Sequence, residues 1–445
     1  MIEYQSYTAY ASLWNKSFPS HWSILPMYAL AMEKSICGCV DLPLLSVYLD
    51  VGVIPFSAKT EKRTNVTSKD LSKYQRVDCG DFVLNNQQAW RGSVGISFDT
   101  GIVSPAYIVL SMNDILNSRY ANYLLRSRIM VDQYLINSKS VGSIQRNIYW
   151  PALKRASVPV PPRDEQDQIV RFLDWKVSGI NKLIAVKQKQ IATLKEFMQA
   201  EIEEQLYAYP VVSVVRLKQL GTFFKGGGFS RDNLVEDEDY PAILYGDIYT
   251  QYEYKTSIIT HHIDGNAYST SRKISKGDIV MAGTGETKDE IGKSILYMGE
   301  QIVAVGGDVI VFHPNEGTNV EYLLYQLYSQ AALKHRYING KGDIIVHIYP
   351  TALGNTIITL PGEADQNKAV ARINEIIDQV NKAITVLTDE ISVLREYRVR
   401  LVADTVAGKI DVRGIEIPEY EFVDEDNDNV DENLEQGADE PPEEE

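Results

Sequence analysis

Residues 163–207, RDEQDQIVRFLDWKVSGINKLIAVKQKQIATLKEFMQAEIEEQLY, decide the fold. Ile169, Leu173, Lys176, Ile180, Leu183, Lys187, Ile191, Leu194 and Met198 recur at steps of three and four, the spacing of one buried stripe on a long helix. A second run, Glu363 to Ala407, repeats the pattern with Ile373, Ile377, Val380, Ile384, Leu387, Ile391, Leu394 and Leu401. Neither run contains a proline, and the single glycine, Gly179, costs about 1 kcal/mol relative to alanine in a helix interior.

The two runs correspond in detail. Leu194-Lys195-Glu196-Phe197 is matched by Leu394-Arg395-Glu396-Tyr397, Asn181-Lys182 by Asn381-Lys382, and Gln166 by Gln366, always about 200 residues on. A constant offset is the signature of an internal repeat. It extends upstream, where the segment ending Asn147-Ile148-Tyr149 faces the one ending His347-Ile348-Tyr349, each followed by a short apolar strand closing at Pro162 or Pro361. Gly80-Asp81-Phe82-Val83 likewise faces Gly277-Asp278-Ile279-Val280. The expected architecture is α+β, two mixed α/β domains (1–162 and 208–362) each followed by a long helix (163–207 and 363–413), then an acidic tail (414–445) expected to be disordered.

A chain of 445 residues with 44% hydrophobic content holds enough apolar surface for two cores. No apolar run approaches the roughly 20 residues of a membrane span, nor does the N-terminus show a charged lead before an apolar core. A cytoplasmic protein is expected. Cys37, Cys39 and Cys79 offer no disulfide framework and a poor zinc site. The formal charge of −16 is uneven, because residues 419–445 hold 14 acidic and no basic residues, leaving 46 acidic against 44 basic in the remainder. That tail is too polar and self-repelling to fold alone. It reads either as a solubilising segment or as a phosphate mimic competing for the protein's own basic surface. Residues 1–150 carry 14 Lys or Arg against 11 Asp or Glu, a slight excess that permits DNA binding without establishing it.

Trp14, Phe18, His21 and Trp22 open the first domain as candidate core anchors. A basic stretch holding Lys62, Arg63 and Lys69 follows. After the Phe82-Val83-Leu84 strand comes a glycine-terminated loop with Asn85, Asn86, Gln87, Gln88, Trp90 and Arg91. Amides pair with adenine and guanidinium with guanine, so this loop carries base-reading groups, although an ordinary polar loop has the same composition. Tyr120 to Tyr134 reads as a helix, and the polar stretch with Lys139 and Arg146 could approach phosphate. In the second domain the counterpart loops hold Lys225, three glycines and Arg231, then Gly283, Gly285 and Lys288, then Gly340, Lys341 and Gly342. Glycine permits close backbone approach, and the neighbouring cations suit phosphate.

Several motifs fail on spacing. Ile291-Gly292-Lys293-Ser294 resembles the end of a phosphate-binding loop, but Thr287 stands where the first glycine is required. Gly226-Gly227-Gly228 lacks a dinucleotide fingerprint, and His261-His262 has no third ligand at suitable spacing. Asp278, Glu286 and Lys288 have the loose spacing of a nuclease centre, a pattern that arises readily by chance. No convincing catalytic centre is present.

Gln166…Phe172-Leu173-Asp174…Leu194-Lys195-Glu196, the closing segment Leu401-Val402-Ala403-Asp404-Thr405-Val406-Ala407-Gly408-Lys409-Ile410-Asp411-Val412, and the recognition-domain run Gly80-Asp81-Phe82-Val83…Ala89-Trp90-Arg91-Gly92-Ser93…Gly101-Ile102-Val103-Ser104-Pro105-Ala106-Tyr107 together resemble the specificity (S) subunit of type I restriction-modification systems. The resemblance spans residues 10 to 413, and the second domain departs from the Trp-Arg-Gly-Ser version. It implies an antiparallel coiled coil of the two helices, which would serve as a spacer about 60 Å long, more than one DNA turn of about 34 Å. It further implies double-stranded DNA as ligand, with a bipartite target read one half per domain. Two methyltransferase (modification) subunits and restriction/translocase subunits are the implied partners. This chain would then be non-catalytic and need no cofactor, while S-adenosylmethionine, ATP and Mg belong to those partner subunits. The alternatives are a coiled-coil scaffold whose domains bind proteins, and, behind it, a nuclease using Asp278, Glu286 and Lys288.

Overall fold

The computed structural model describes residues 3–10, 16–49, 51–58, 70–141, 145–236, 240–343 and 345–423. The chain divides into two compact units, residues 1–188 with 388–445, and residues 189–387. Each contains one globular α+β domain and one end of each long helix, Arg163–Tyr207 and Glu363–Val406.

In the first unit an antiparallel sheet runs in the order Ala31–Lys34, Tyr107–Met112, Phe82–Asn85, Val94–Ile96. Phe82, Val83 and Leu84 are fully buried, as expected of a strand covered on both faces. Asn117 starts the helix Ser118–Leu125 by accepting from the N–H groups of Arg119 (2.9 Å) and Tyr120 (3.2 Å). The single helix expected from Tyr120 to Tyr134 is in fact two, Ser118–Leu125 and Arg128–Ile136. Ser127 between them is extended (φ −70°, ψ 157°), which no continuous helix tolerates. Phe18 and Trp22 are buried core anchors, whereas Trp14 lies outside the described residues.

The second unit rebuilds this plan. Its sheet runs Gly221–Lys225, Val309–Pro314, Ile279–Ala282, Ser294–Tyr297, with Lys255–Thr256 added in parallel at the edge. Helices Val320–Leu327 and Gln330–Asn339 replace the first unit's helix pair, with Asn319 and Ser329 as caps. Matched sequence makes matched bonds. Gly80 N–H donates to the carbonyl of Ser97 and Gly277 N–H to that of Tyr297, both at 2.8 Å, and both glycines have φ of 94°, a conformation that glycine, lacking a β-carbon, adopts at little cost. The side-chain amides of Gln166 and Gln366 donate to the carbonyls of Pro161 and Pro361, both at 2.9 Å, tying the first turn of each long helix to the strand before it.

The long helices pack antiparallel within each unit. In the first, Lys187 meets Glu390 at 2.6 Å and Arg398 donates to Asn181 at 2.8 Å, so rising numbers on one helix face falling numbers on the other. In the second, Met198, Ile202 and Leu206 share a core with Ile373, Ile376, Ile377 and Val380. The stripe differs from expectation at one point: Leu183 is 52% exposed and Ile184 only 6%. At 100° per residue the two point in different directions around the helix, and the buried face takes in Ile184 and leaves Leu183 outside.

Past Val406 the chain turns at Gly408 (φ +68°), where a β-carbon would stand 2.4 Å from the Pro19 ring. Residues 414–423, grouped by composition with the acidic tail, are an ordered strap on the first long helix. Gln168 donates to the carbonyls of Val412 (3.0 Å) and Ile415 (2.8 Å), and Ser178 both donates to Glu421 O (2.9 Å) and accepts from Val423 N–H (2.7 Å). The Arg119 guanidinium stacks 5.5 Å from the Phe422 ring. Helix side chains bonded to the strap's main chain, and one aromatic, hold it despite its charge. Residues 424–445 lie outside the described residues.

Candidate nucleic-acid interface

Strand Phe82–Asn85 leads into the amide-rich loop, which braces itself. Asn85 Oδ1 accepts from Gln87 N–H at 3.1 Å, an Asx turn, and Trp90 Nε1 donates to Gln87 O at 2.9 Å. The 3₁₀ turn Ala89–Arg91 ends at Gly92 (φ 112°). This leaves Gln87, Gln88 and Trp90 half-buried and Arg91 exposed, with its guanidinium 4.8 Å from the Trp90 ring. Such stacking restrains the cation while leaving its donors open. A hairpin of Ser138–Val141 with Gln145–Ile148 lies against the loop, joined by a bond from Ile148 N–H to Asn86 O at 3.0 Å. Lys139 is exposed on it and Arg146 half-buried, Nη1 being 3.5 Å from Ser138 Oγ. Gln87, Gln88, Trp90 and Arg91 therefore share one region with Lys139 and Arg146. Lys62 and Arg63 lie outside the described residues.

Asn147 was not a sequence candidate, yet its side-chain carbonyl and that of Asn86 are buried and, among the described residues, without a donor. Buried polar atoms normally find partners, so unpaired acceptors at this seam mark it for attention. The sequence signal was available, since Asn147 lies in the repeated segment.

The second unit places its loops by the same device. Ile348 N–H donates to Gly283 O at 3.0 Å, as Ile148 does to Asn86 O. Thr284–Gly285 pairs with Val346–His347, and Thr284 Oγ1 lies 2.9 Å from His347 Nδ1. Lys341 and His347 exchange main-chain bonds at 2.9 and 2.8 Å. The loops carrying Lys288, half-buried, and Lys341, exposed, thus meet. Lys225 is exposed with its ammonium 5.4 Å from the Tyr349 ring, and Arg231 is exposed at the start of the turn Arg231–Asn233. His347 and Tyr349 are further residues that composition did not single out.

Two sequence readings take a different meaning here. A β-carbon on Gly226 would stand 2.2 Å from Gly306 O and one on Gly228 2.8 Å from Ser271 Cα, so these glycines admit close packing of the protein's own backbone. Asp278 is buried, accepting from Ser275 N–H at 2.8 Å and pairing with His313 at 2.6 Å, which commits one oxygen to a turn and the other to a neighbouring strand. Glu286 and Lys288 follow the other end of strand Ile279–Ala282, roughly 10 Å or more away at 3.3 Å per residue. Sequence proximity does not bring these three together.

Electrostatically, burial pushes the Tyr249 hydroxyl up and it stays a donor, directed at Thr284 O (3.2 Å) and Glu290 O (3.5 Å). Burial also lowers the Lys293 ammonium, which donates to Tyr249 O at 3.2 Å. Among the described residues no three His, Cys, Asp or Glu side chains converge as a metal site, and no helix is long and apolar enough to cross a membrane. The arrangement can present amides, guanidinium and ammonium groups from two loop regions per domain.

No curated protein matches the sequence. A chain from a structure on complex assembly and conformational transition of the type I R-M system superposes with a TM-score of 0.62 at 15% identity, over 88% of this chain and 99% of its own. The HsdS subunit from Thermoanaerobacter tengcongensis aligns at 15% identity over 88% of this chain and 98% of its own, with a TM-score of 0.43. The family model for the type I restriction modification DNA specificity domain matches twice, over residues 40–195 and 211–393. With two such matches spanning most of a chain built as a structural repeat, the protein belongs to the type I restriction-modification DNA specificity family.

Proposed function

We propose that this chain is the non-catalytic DNA-reading subunit of a type I restriction-modification complex, directing methyltransferase and restriction subunits to a bipartite double-stranded target. One observation carries the reading: the bonds Ile148 to Asn86 and Ile348 to Gly283 hold equivalent loop regions in both domains, while the side chains displayed there differ. A shared scaffold with unlike polar surfaces is what two different half-sites demand, since phosphate contacts position a protein and base contacts specify. In the first domain Gln87, Gln88, Trp90 and Arg91 read bases, with Lys139 and Arg146 near phosphate. In the second, Lys225, Arg231, Lys288 and Lys341 supply the cations. S-adenosylmethionine, ATP and Mg are bound by the partner subunits, two of which carry methyltransferase activity.

The test is co-expression of the full chain with a type I modification subunit, followed by mapping of methylated adenines across the host genome. A two-part motif with a constant gap, one half of which changes when one domain is exchanged, is the expected result. A stable complex that methylates nothing, or whose DNA affinity is indifferent to salt, would sink the DNA reading and favour a protein-binding scaffold.

A further inference from the structure

Arg336 is the one cation in the second unit's helix pair that is fully enclosed, 3% exposed, and among the described residues no carboxylate pairs with it. Its guanidinium donates Nη1–H to Leu327 O and Nε–H to Ile291 O at 3.1 Å. Leu327 ends the helix Val320–Leu327, whose last carbonyls carry partial negative charge, so the first bond answers a local need. The first unit meets the same need without charge, by a bond from Tyr134 OH to Leu125 O at 2.8 Å. A neutral hydroxyl suffices there. Burying a guanidinium instead carries a desolvation penalty, which also lowers its affinity for the proton, and that penalty requires a second purpose.

The second bond supplies it. Ile291 closes the loop that begins at Gly283, and the next residue, Gly292, has φ +75° and no room for a β-carbon, which would stand 2.5 Å from Arg336 Cδ. The first-domain loop is braced from within, by Asn85 and Trp90, whereas this one is held from beneath by Arg336 at Ile291 and Tyr249 at Thr284 and Glu290. We infer that Arg336, with Tyr249, is the positioning residue of the second recognition loop, setting which bases that loop accepts without touching DNA. The inference rests on the DNA-reading function proposed above.

The full chain co-expressed with the modification subunit is compared as wild type, Arg336→Met, Arg336→Lys and Tyr249→Phe, with adenine methylation mapped genome-wide and thermal melting recorded. Tyr249→Phe keeps the ring and introduces no buried charge, so it decides the matter if the arginine variants fail to fold. The expected result is a relaxed second half-site, discrimination against a substituted base there falling about tenfold, while the first half-site is read as before. A lowered melting temperature with the wild-type motif intact in both halves would reduce Arg336 and Tyr249 to structural roles and overturn the inference. Equal relaxation of both halves overturns it too. A wild-type chain that yields no two-part motif would instead remove the function on which the inference rests, and the inference with it.

Discussion

The main-chain N–H of Ile148 donates to the carbonyl of Asn86 at 3.0 Å, fastening strand Gln145–Ile148 to the loop that carries Gln87, Trp90 and Arg91. Since Arg91 is exposed with its guanidinium against the Trp90 ring, Arg91→Ala is expected to weaken discrimination in the first half-site by about 1–3 kcal/mol. Methylation mapping checks this. An unaltered first half-site would remove Arg91 from the interface.

At Gly408, the second long helix ends in a left-handed residue against the Pro19 ring. Gly408→Ala combines a strained φ with a β-carbon 2.4 Å from Pro19 Cδ, and a loss of about 1–3 kcal/mol is expected. Urea unfolding measures it, the comparison being Gly414→Ala, where a β-carbon meets nothing within 4 Å.

The carboxylate of Glu321 accepts from Lys255 Nζ at 2.6 Å and Asn374 Nδ2 at 3.0 Å. Burial raises its pKa, but these two partners outweigh burial and leave it below the ordinary value of 4.5. A folded-state value below the unfolded one means stability present above pH 4.5 and lost as pH falls through the folded value. Glu321→Gln is expected to flatten the acid side of the melting-temperature profile between pH 6 and about pH 3. A variant as acid-sensitive as wild type would show that the ion pair contributes nothing to that slope.

Ser178 uses its one hydroxyl both as donor to Glu421 O and as acceptor from Val423 N–H. Ser178→Ala leaves both main-chain groups of the strap without that partner, and a local cost of about 1–2 kcal/mol is expected. Amide exchange at Val423 should quicken several-fold while the long helix keeps its protection. Unchanged exchange there would mean that the strap is held elsewhere.

Sequence by itself determined the repeat and the elements built from short-range pattern. Steps of three and four mark both long helices, Gly80 and Gly277 mark equal turns, and the order of loops on the two domains follows from their shared offset. These features depend on residues a few positions apart, where period and backbone sterics act directly. Tertiary structure alone decided the rest. It chose Ile184 over Leu183 for the helix seam, broke the expected helix at Ser127, turned Gly226 and Gly228 into packing contacts, and set Arg336 beneath a loop some forty-five residues earlier. Each of these depends on which distant group covers a face or accepts a hydrogen bond. Side-chain type says that a buried guanidinium needs acceptors; only the folded chain says which carbonyls they are.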